Sequence, residues 1–163
     1  EVDRLAIDSE HYRSVNGDAI ALSSAFIPLI RVAILVGFTM TLVVGGADGG
    51  FDMSHRGGRP GFVGVHGDTL AIPDFSGNRF FNTLGNLLGD PRAGLLFVNF
   101  GTGDVLQLQG TATIDWHPGE IGPAGTERLW RVRIERAWRT RSAFPYFTIF
   151  GAHAPTTLQT GIW

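Results

Sequence analysis

The chain has 163 residues, of which 44% are hydrophobic and 17% charged, a composition typical of one globular domain that buries a single core. Its net charge of -2 gives no overall attraction to nucleic acid or to an anionic membrane surface, so we expect neither as a partner. Because the chain has no cysteine, disulfides and thiolate metal sites are excluded, and we expect a cytoplasmic protein.

The first part of the chain, residues 1–32, is predicted to be a partly helical extension of this single domain, with a helix over 18–31. The apolar stretch 25–44 contains one charge, Arg31. The uncharged run that follows is shorter than the ~20 residues that a membrane-spanning helix needs, and it is rich in β-branched residues. We therefore interpret 38–44 as a buried strand and expect no membrane segment.

Glycine-rich turns punctuate the next part of the chain, where we predict antiparallel strands. Residues 45–50 permit the positive φ of a tight reversal, residues 56–61 form a loop or bulge, and residues 66–68 form a short hairpin turn. The predicted strands between these turns are 38–44, 51–55, 62–65 and 69–72.

The period of the apolar residues then changes, and a helix is predicted over 76–89. Ser76 or Asn78 is positioned to cap its first turn, Gly89 to follow its last turn, and Pro91 to prevent its continuation. The apolar face is defined by Phe80, Phe81, Leu84, Leu87 and Leu88.

The second half of the chain contains two further strands, predicted over 95–100 and 105–115, then a loop at 117–125 and a last long strand that contains Trp130. Apolar residues alternate with polar ones in both long strands, which indicates one buried and one polar face. Residues 142–163 show no regular pattern. This order of elements favours a mainly β fold, a barrel with one inserted helix.

A candidate anion site lies where a turn enters the predicted helix. Backbone N–H groups at a helix start are unpaired and carry partial positive charge, and Ser76, Asn78 and Arg79 add polar groups suited to a phosphate. Asn82 and Thr83 then begin a polar stripe, opposite the apolar face, that is predicted to line a ligand. The alternative is that Ser76 or Asn78 only caps the helix while Arg79 is solvated.

A second candidate is the glycine-rich loop in which Arg56 and Arg59 lie close to three glycines. Glycine lets a backbone approach a flat ligand closely, so Gly61, Phe62 and Val63 are candidate ring contacts and the two arginines are candidate anion ligands. The alternative is a surface bulge with solvated arginines.

Signals for acid–base or metal chemistry are weaker. His55 is a candidate general acid or base, although a lone histidine beside arginines is more often a hydrogen-bonding partner. The histidines show no spacing typical of metal ligands, so no metal is predicted. The arginines between Arg128 and Arg141 alternate along a strand and are interpreted as a solvated face.

Four segments occur in an informative order and spacing: His55–Val63, Pro73–Arg79, Thr83–Leu87 and Asp90–Leu95. Together they resemble the pyridoxamine 5′-phosphate oxidase-related FMN-binding proteins. The resemblance implies a mainly β (α+β) fold, namely a six-stranded split β-barrel with short helices. It also implies a homodimer that holds FMN at the subunit interface.

The resemblance further implies roles for individual residues in binding FMN. Asn78 and Arg79 would bind the phosphate, the backbone from Gly61 to Val63 would run beside the isoalloxazine, and Pro73 and Asp74 would flank that ring.

Two more contacts are implied by the resemblance. Gln107 would contact the ring or the ribityl chain, and Trp163 would cap the flavin from the partner subunit. Where the vitamin B6 oxidase has Arg-Lys at the phosphate, this chain has Arg79-Phe80. One phosphate ligand is therefore absent, and oxidation of pyridoxamine phosphate is not expected.

The function implied by the resemblance is an FMN-dependent oxidoreductase that acts on a small planar organic substrate. Related proteins use FMN, bind the deazaflavin F420 or bind haem, so fold similarity does not decide the reaction. The alternatives are a non-catalytic module for flavin, F420 or haem, and a structural dimer without a ligand.

Overall fold

The computed structural model describes residues 18–19, 39–45, 51–77, 81–143, 151–152 and 155–163. The strands are β1 (Asp18–Ala19), β2 (Thr39–Gly45), β3 (Phe51–Arg56), β4 (Gly64–His66), β5 (Thr69–Phe75), β6 (Arg92–Val98), β7 (Val105–Asp115) and β8 (Thr126–Thr140). The helices are α1 (Asn82–Gly89) and α2 (Pro155–Leu158). Six of the eight strands in these ranges have at least six residues, so the expected mainly β fold is confirmed.

The strands of the described part form one antiparallel sheet in the order β3-β2-β6-β7-β8-β5-β4. The long strand β8 pairs with β7 along one edge. Along its other edge it pairs with β5 through its first half and with β1 through its second half. Because β3 and β5 lie far apart in this order, a contact between them requires the sheet to curl toward a barrel.

The core lies on the inner face of this curled sheet and beneath α1. Strand β7 shows the predicted alternation, because Leu106 and Leu108 are buried while Gln107 and Gln109 lie on the other face. The core cluster consists of Phe62, Val63, Leu70, Ile72, Leu84, Leu87, Ala93, Leu95, Phe97, Leu106, Leu108, Ala112, Trp130, Val132, Ile134 and Ala137.

The helix begins later than predicted. Helix α1 starts at Asn82, with Phe81 as the N-cap residue and no side-chain cap, so Ser76 does not cap it. Strand β5 continues to Phe75, and Ser76 and Gly77, which were expected in the first helical turn, follow it without helical structure. Asn78 lies outside the described residues.

The end of the helix also differs from the prediction. Gly89 is the last helical residue rather than the residue after the helix, and Asp90 follows in extended backbone. The N–H of Asp90 donates to the carbonyl of Asn86 at 2.8 Å, which closes the last turn without a left-handed glycine.

Two strand boundaries differ for a physical reason. Strand β5 was expected to end at residue 72 but continues through Pro73 because it remains paired with β8 there. On its other edge β4 pairs only with Thr69–Ala71, which leaves Pro73 without a partner strand on that side. Proline, which has no N–H, is tolerated at such an edge. Phe62 and Val63 precede β4 instead of belonging to it.

The helix predicted over 18–31 is wrong at residues 18 and 19, the part of it that the structure describes. Asp18 and Ala19 form β1, paired with Arg139 and Trp138 of β8, and not the start of a helix. The rest of the predicted extension 1–32 lies outside the described residues. Among the residues that the structure describes, no helix is both long and apolar enough to cross a membrane.

Candidate functional site

A buried carboxylate joins two arginines at one end of the sheet. Asp74 on β5 has only 6% of its surface exposed. One of its oxygens accepts a hydrogen bond from Arg56 Nη1 at 2.6 Å, and the other accepts one from Arg128 Nε at 2.7 Å. An unpaired charge in a protein interior is costly, so both arginines stabilise the ionised carboxylate. We call these three residues the ion triplet.

Both guanidinium groups of the ion triplet also lie over aromatic rings. The guanidinium carbon of Arg56 is 4.5 Å from the centre of the Trp130 ring, and that of Arg128 is 5.0 Å from the centre of the Phe81 ring. Trp130 is 1% exposed whereas Phe81 is 46% exposed. The triplet therefore extends from the core at Trp130 to the surface at Phe81, the residue that immediately precedes α1.

The two arginines differ in how well their charge is stabilised. Burial lowers the pKa of Arg56, and the carboxylates of Asp74 and Asp52 only partly oppose that shift. Burial also acts to lower the pKa of Arg128, but hydrogen bonds to Asp74 and Glu127 outweigh it, and the pKa of Arg128 is raised. Arg56 is thus the less completely compensated cation.

The triplet closes the curled sheet. Arg56 belongs to β3, at one side of the strand order, and Asp74 belongs to β5, near the other side. Their ion pair therefore joins strands that share no backbone hydrogen bonds. It brings the Arg56–Gly64 loop together with the end of β5, two segments that the sequence marked as candidate ligand contacts.

The first turn of α1 is tied to β3 by a hydroxyl. Thr83 is buried, at 3% exposure; its hydroxyl lies 2.6 Å from the Oδ2 of Asp52, to which it donates, and 3.1 Å from the hydroxyl of Ser54. The predicted polar stripe is therefore divided: Asn82 is exposed, while Thr83 packs on the same side as Leu84 and Leu87.

Residues 160–163 lie against the backbone segment that precedes β4. The indole Nε1 of Trp163 donates to the carbonyl of Phe62 at 2.9 Å, and the N–H of Arg59 donates to the hydroxyl of Thr160 at 2.9 Å. A Cβ at Gly64 would lie only 2.9 Å from the Trp163 ring, so an aromatic ring lies directly on the glycine backbone. His66 meets the same ring edge-on at 5.6 Å between centroids.

Several predicted contacts lie beside this segment. Gly61 adopts φ +91°, a value that favours glycine, and Phe62 and Val63 are each 4% exposed with side chains in the core. Only the backbone of Gly61–Val63 is therefore available to a ligand, as a close approach to a flat ring requires. Pro73 is buried next to Asp74.

Other predicted residues are not brought to the triplet. His55 is exposed and follows the alternation of β3 to the face opposite Arg56, and the side chain of Arg59 is exposed. Ser76 is also exposed. Asn78 and Arg79, the implied phosphate ligands, lie outside the described residues.

Gln107 lies on the outer face of β7, and its side-chain oxygen is buried without a hydrogen-bond partner in the described part. The partner of Trp130 on β7 is Ile114, which puts Gln107 roughly 23 Å from Trp130 along the strand. Within one chain, Gln107 and the triplet are therefore separate.

The sequence did not indicate Arg128 as a site residue. It was grouped with the arginines of a solvated strand face. Along β8, however, it lies two residues before Trp130 and therefore on the same face as Trp130, Val132 and Ile134. An arginine in phase with three buried residues indicates an inward charge that needs a partner. That signal was present, but the predicted strand was not extended back to Thr126, where β8 begins.

No protein-family model matches the sequence, and no curated protein matches it. Solved structures do match. HupZ from Group A Streptococcus is 14% identical, with 71% of this chain and 94% of that chain covered and a TM-score of 0.54. The conserved hypothetical protein Rv2991 from Mycobacterium tuberculosis is 16% identical, with 85% and 96% covered and a TM-score of 0.51.

A third similar structure carries a family description. It is a protein from Clostridium acetobutylicum related to general stress protein 26 of B. subtilis, described as belonging to the pyridoxinephosphate oxidase family. It is 11% identical, with 73% of this chain and 90% of that chain covered and a TM-score of 0.51. At these identities the likeness shows the fold, and the expected fold is confirmed.

Proposed function

We propose that this chain, whose fold is the split β-barrel of pyridoxamine 5′-phosphate oxidase-like proteins, binds FMN and acts as an oxidoreductase on a small planar organic substrate. The observation that carries the proposal is the Arg56–Asp74 ion pair. It joins the glycine-rich loop to the end of β5, so that the two segments implied as flavin contacts adjoin each other beside the start of α1.

The described residues fit a flat ring. The Gly64 backbone already carries an aromatic ring that a Cβ would displace, and the carbonyl of Phe62 accepts a hydrogen bond from that ring. An isoalloxazine also presents a flat face and an N–H donor. The same segment therefore suits it, with Trp163 either stacked on the flavin or moved aside.

The chain would contribute binding and orientation. Arg56 is held by Asp74 and Trp130 at the barrel end, Arg79 and Asn78 are proposed to hold the phosphate, and the Gly61–Val63 backbone is proposed to support the ring. Bound FMN would supply the redox chemistry, accepting and donating electrons. The exposed face of Phe81 beside Arg128 offers an apolar surface to a planar substrate.

A homodimer with the cofactor between subunits is part of the proposal. Gln107 is assigned to this interface, because it is proposed to contact the ring although it faces outward and lies far from the triplet of its own chain. Contact with a flavin at the barrel end would then come from the partner subunit.

The first experiment is an absorbance spectrum of the purified protein, with denaturing release and mass measurement of any ligand. FMN that bleaches with NADH or NADPH and recovers only when an acceptor is added would support the oxidoreductase. Bound flavin, F420 or haem without turnover would favour the non-catalytic module. A colourless protein with no affinity for added FMN would contradict both.

The phosphate assignment predicts the effect of Arg79→Ala. The variant should weaken FMN binding much more than riboflavin binding, because only FMN loses a charge-assisted hydrogen bond of roughly 1.5 to 3 kcal/mol. Titration by flavin fluorescence measures both affinities. Arg141→Ala, a change at an exposed arginine, is the control, and equal weakening of the two flavins would refute the assignment.

A further inference from the structure

Two buried N–H donors at the barrel end have no acceptor among the described residues. They are the Nε of Arg56 and the indole Nε1 of Trp130. The Arg56 guanidinium lies over the Trp130 ring at 4.5 Å, so both donors belong to one small region. Buried donors in native proteins are nearly always paired with a protein group, water or a ligand, and an oxygen acceptor is therefore expected here.

The charge of Arg56 supports an acceptor that is itself negative. Its pKa is lowered by burial, even though Asp74 and Asp52 both act to raise it. The existing carboxylates therefore leave the Arg56 cation incompletely compensated, and a further oxyanion would stabilise it.

The neighbouring carboxylates do not fill this position. Asp52 accepts the Thr83 hydroxyl at 2.6 Å, and Glu127 accepts from the outer nitrogen of Arg128 at 2.7 Å with 37% of its side chain exposed to solvent. Asp74 uses one oxygen for each arginine. The Nε of Arg56 is left unpaired by all three.

The site is also open to the outside. The side chains of Arg56 and Arg128 are 22% and 16% exposed, and Phe81 beside Arg128 is 46% exposed. A ligand group can therefore reach the outer parts of the two guanidiniums from solvent. Asp74, the Trp130 indole and the Nε of Arg56 lie beneath that surface, so an oxyanion reaches the two buried donors only when the Arg56 side chain shifts.

From these observations we propose that Arg56, Arg128 and the Trp130 indole form an oxyanion-binding site, with Asp74 as the positioning residue that holds the two guanidiniums. The ligand class is a phosphate or carboxylate group of a small molecule. Its source is the phosphate of FMN, which these groups would then share with Asn78 and Arg79, or the acidic group of a substrate. The site itself does not depend on the proposed flavin chemistry.

The direct test is the indole N–H signal of Trp130 in a nitrogen–proton correlation spectrum. The chain has four tryptophans, and Trp130→Phe identifies the signal. Inorganic phosphate and, separately, benzoate are titrated into the protein free of flavin. The proposal expects the Trp130 signal to shift saturably with at least one of these anions.

Two arginine variants show whether the shift reports this site. Arg128→Gln should weaken the anion by about ten-fold or more, the effect of losing a charge-assisted hydrogen bond. Arg133→Gln is the matched control on the same strand, since that side chain is 60% exposed and paired with Glu135, and it should leave the affinity unchanged. Equal effects of the two variants would overturn the assignment.

FMN and riboflavin distinguish the two sources. If FMN shifts the signal, competes with phosphate and loses more affinity than riboflavin in Arg128→Gln, the oxyanion is the FMN phosphate. If benzoate shifts the signal in the FMN-saturated protein, the oxyanion is the carboxylate of a substrate. A protein that binds no flavin but still responds to phosphate would reject the proposed function and keep this site. No response to phosphate, benzoate or FMN would overturn the inference.

Discussion

At the scale of single residues, the chemistry depends on a few charges that the fold removes from water. Asp74 is almost fully buried and is acceptable there only because two guanidiniums pair with its two oxygens. The net contribution of such a cluster to stability is small. Removal of one member is nevertheless strongly destabilising, because it leaves the charges of the others without a partner away from water. The main effect of the ion triplet is therefore to fix the orientation of the Arg56 and Arg128 side chains.

Asp74→Asn should therefore lower the free energy of unfolding by about 3 kcal/mol, because two partly buried cations lose their counter-charge. Denaturant unfolding measures this change. The control is Glu135→Gln, which affects an exposed ion pair with Arg133 and should cost less than about 1 kcal/mol. Similar losses in both variants would show that Asp74 does not hold the triplet.

Asp104 should make stability dependent on acid pH. Partial burial acts to raise its pKa, but hydrogen bonds from Arg139 and from the Ser142 N–H outweigh burial, and the pKa falls below its ordinary value of 3.8. The stabilisation is fully present above pH 3.8 and is lost as the pH falls through the lower, folded-state pKa. Asp104→Asn should flatten the pH dependence of unfolding in that window, and an unchanged profile would contradict the assignment.

At the scale of elements, local sequence rules predicted the strands better than the helix boundaries. Alternation predicted the inner face of β7, whereas α1 begins at Asn82 and lacks the first turn expected from residue 76. The helix is instead fixed by a tertiary contact, the Thr83 hydroxyl on Asp52 of β3. Helix propensity and capping residues are therefore weak signals of where a helix begins when a tertiary contact decides it.

Alanine substitutions at two glycines in these elements should have opposite effects on the free energy of unfolding. Gly110 lies at the register shift between β7 and β8, where a Cβ would overlap the carbonyl oxygen of Arg133, so Gly110→Ala should destabilise the protein by about 1–3 kcal/mol. Gly85 in α1 has open space around it, and Gly85→Ala should stabilise by roughly 0.5–1 kcal/mol. Thermal and denaturant unfolding compare the pair, and a stable Gly110→Ala protein would refute the close approach.

At the scale of the whole molecule, the fold is shared with structures only 11–16% identical to this chain. Such identity preserves an arrangement of strands and leaves the ligand open. What this chain adds are contacts that span the sheet: the Arg56–Asp74 pair between β3 and β5, and residues 160–163 against the segment before β4.

The proposed dimer makes cofactor retention depend on concentration. If FMN is bound between subunits, dilution that yields monomers should release it, because each monomer retains only part of the site. Sedimentation monitored by flavin absorbance measures mass and bound flavin together. Adding FMN should shift the equilibrium back toward the dimer, and a monomer that keeps its flavin would contradict an interfacial site.

The sequence by itself determined the mainly β class, the long strands and the candidate loops, because alternation and glycine-rich turns are local properties that burial on one face enforces. It could not determine that Arg128 points inward beside Asp74, or that His55 faces away from Arg56. Those outcomes depend on strand register and on how far the sheet curls, and residues 54 positions apart meet only after the chain has folded. Tertiary structure therefore decided which of the marked residues share a site.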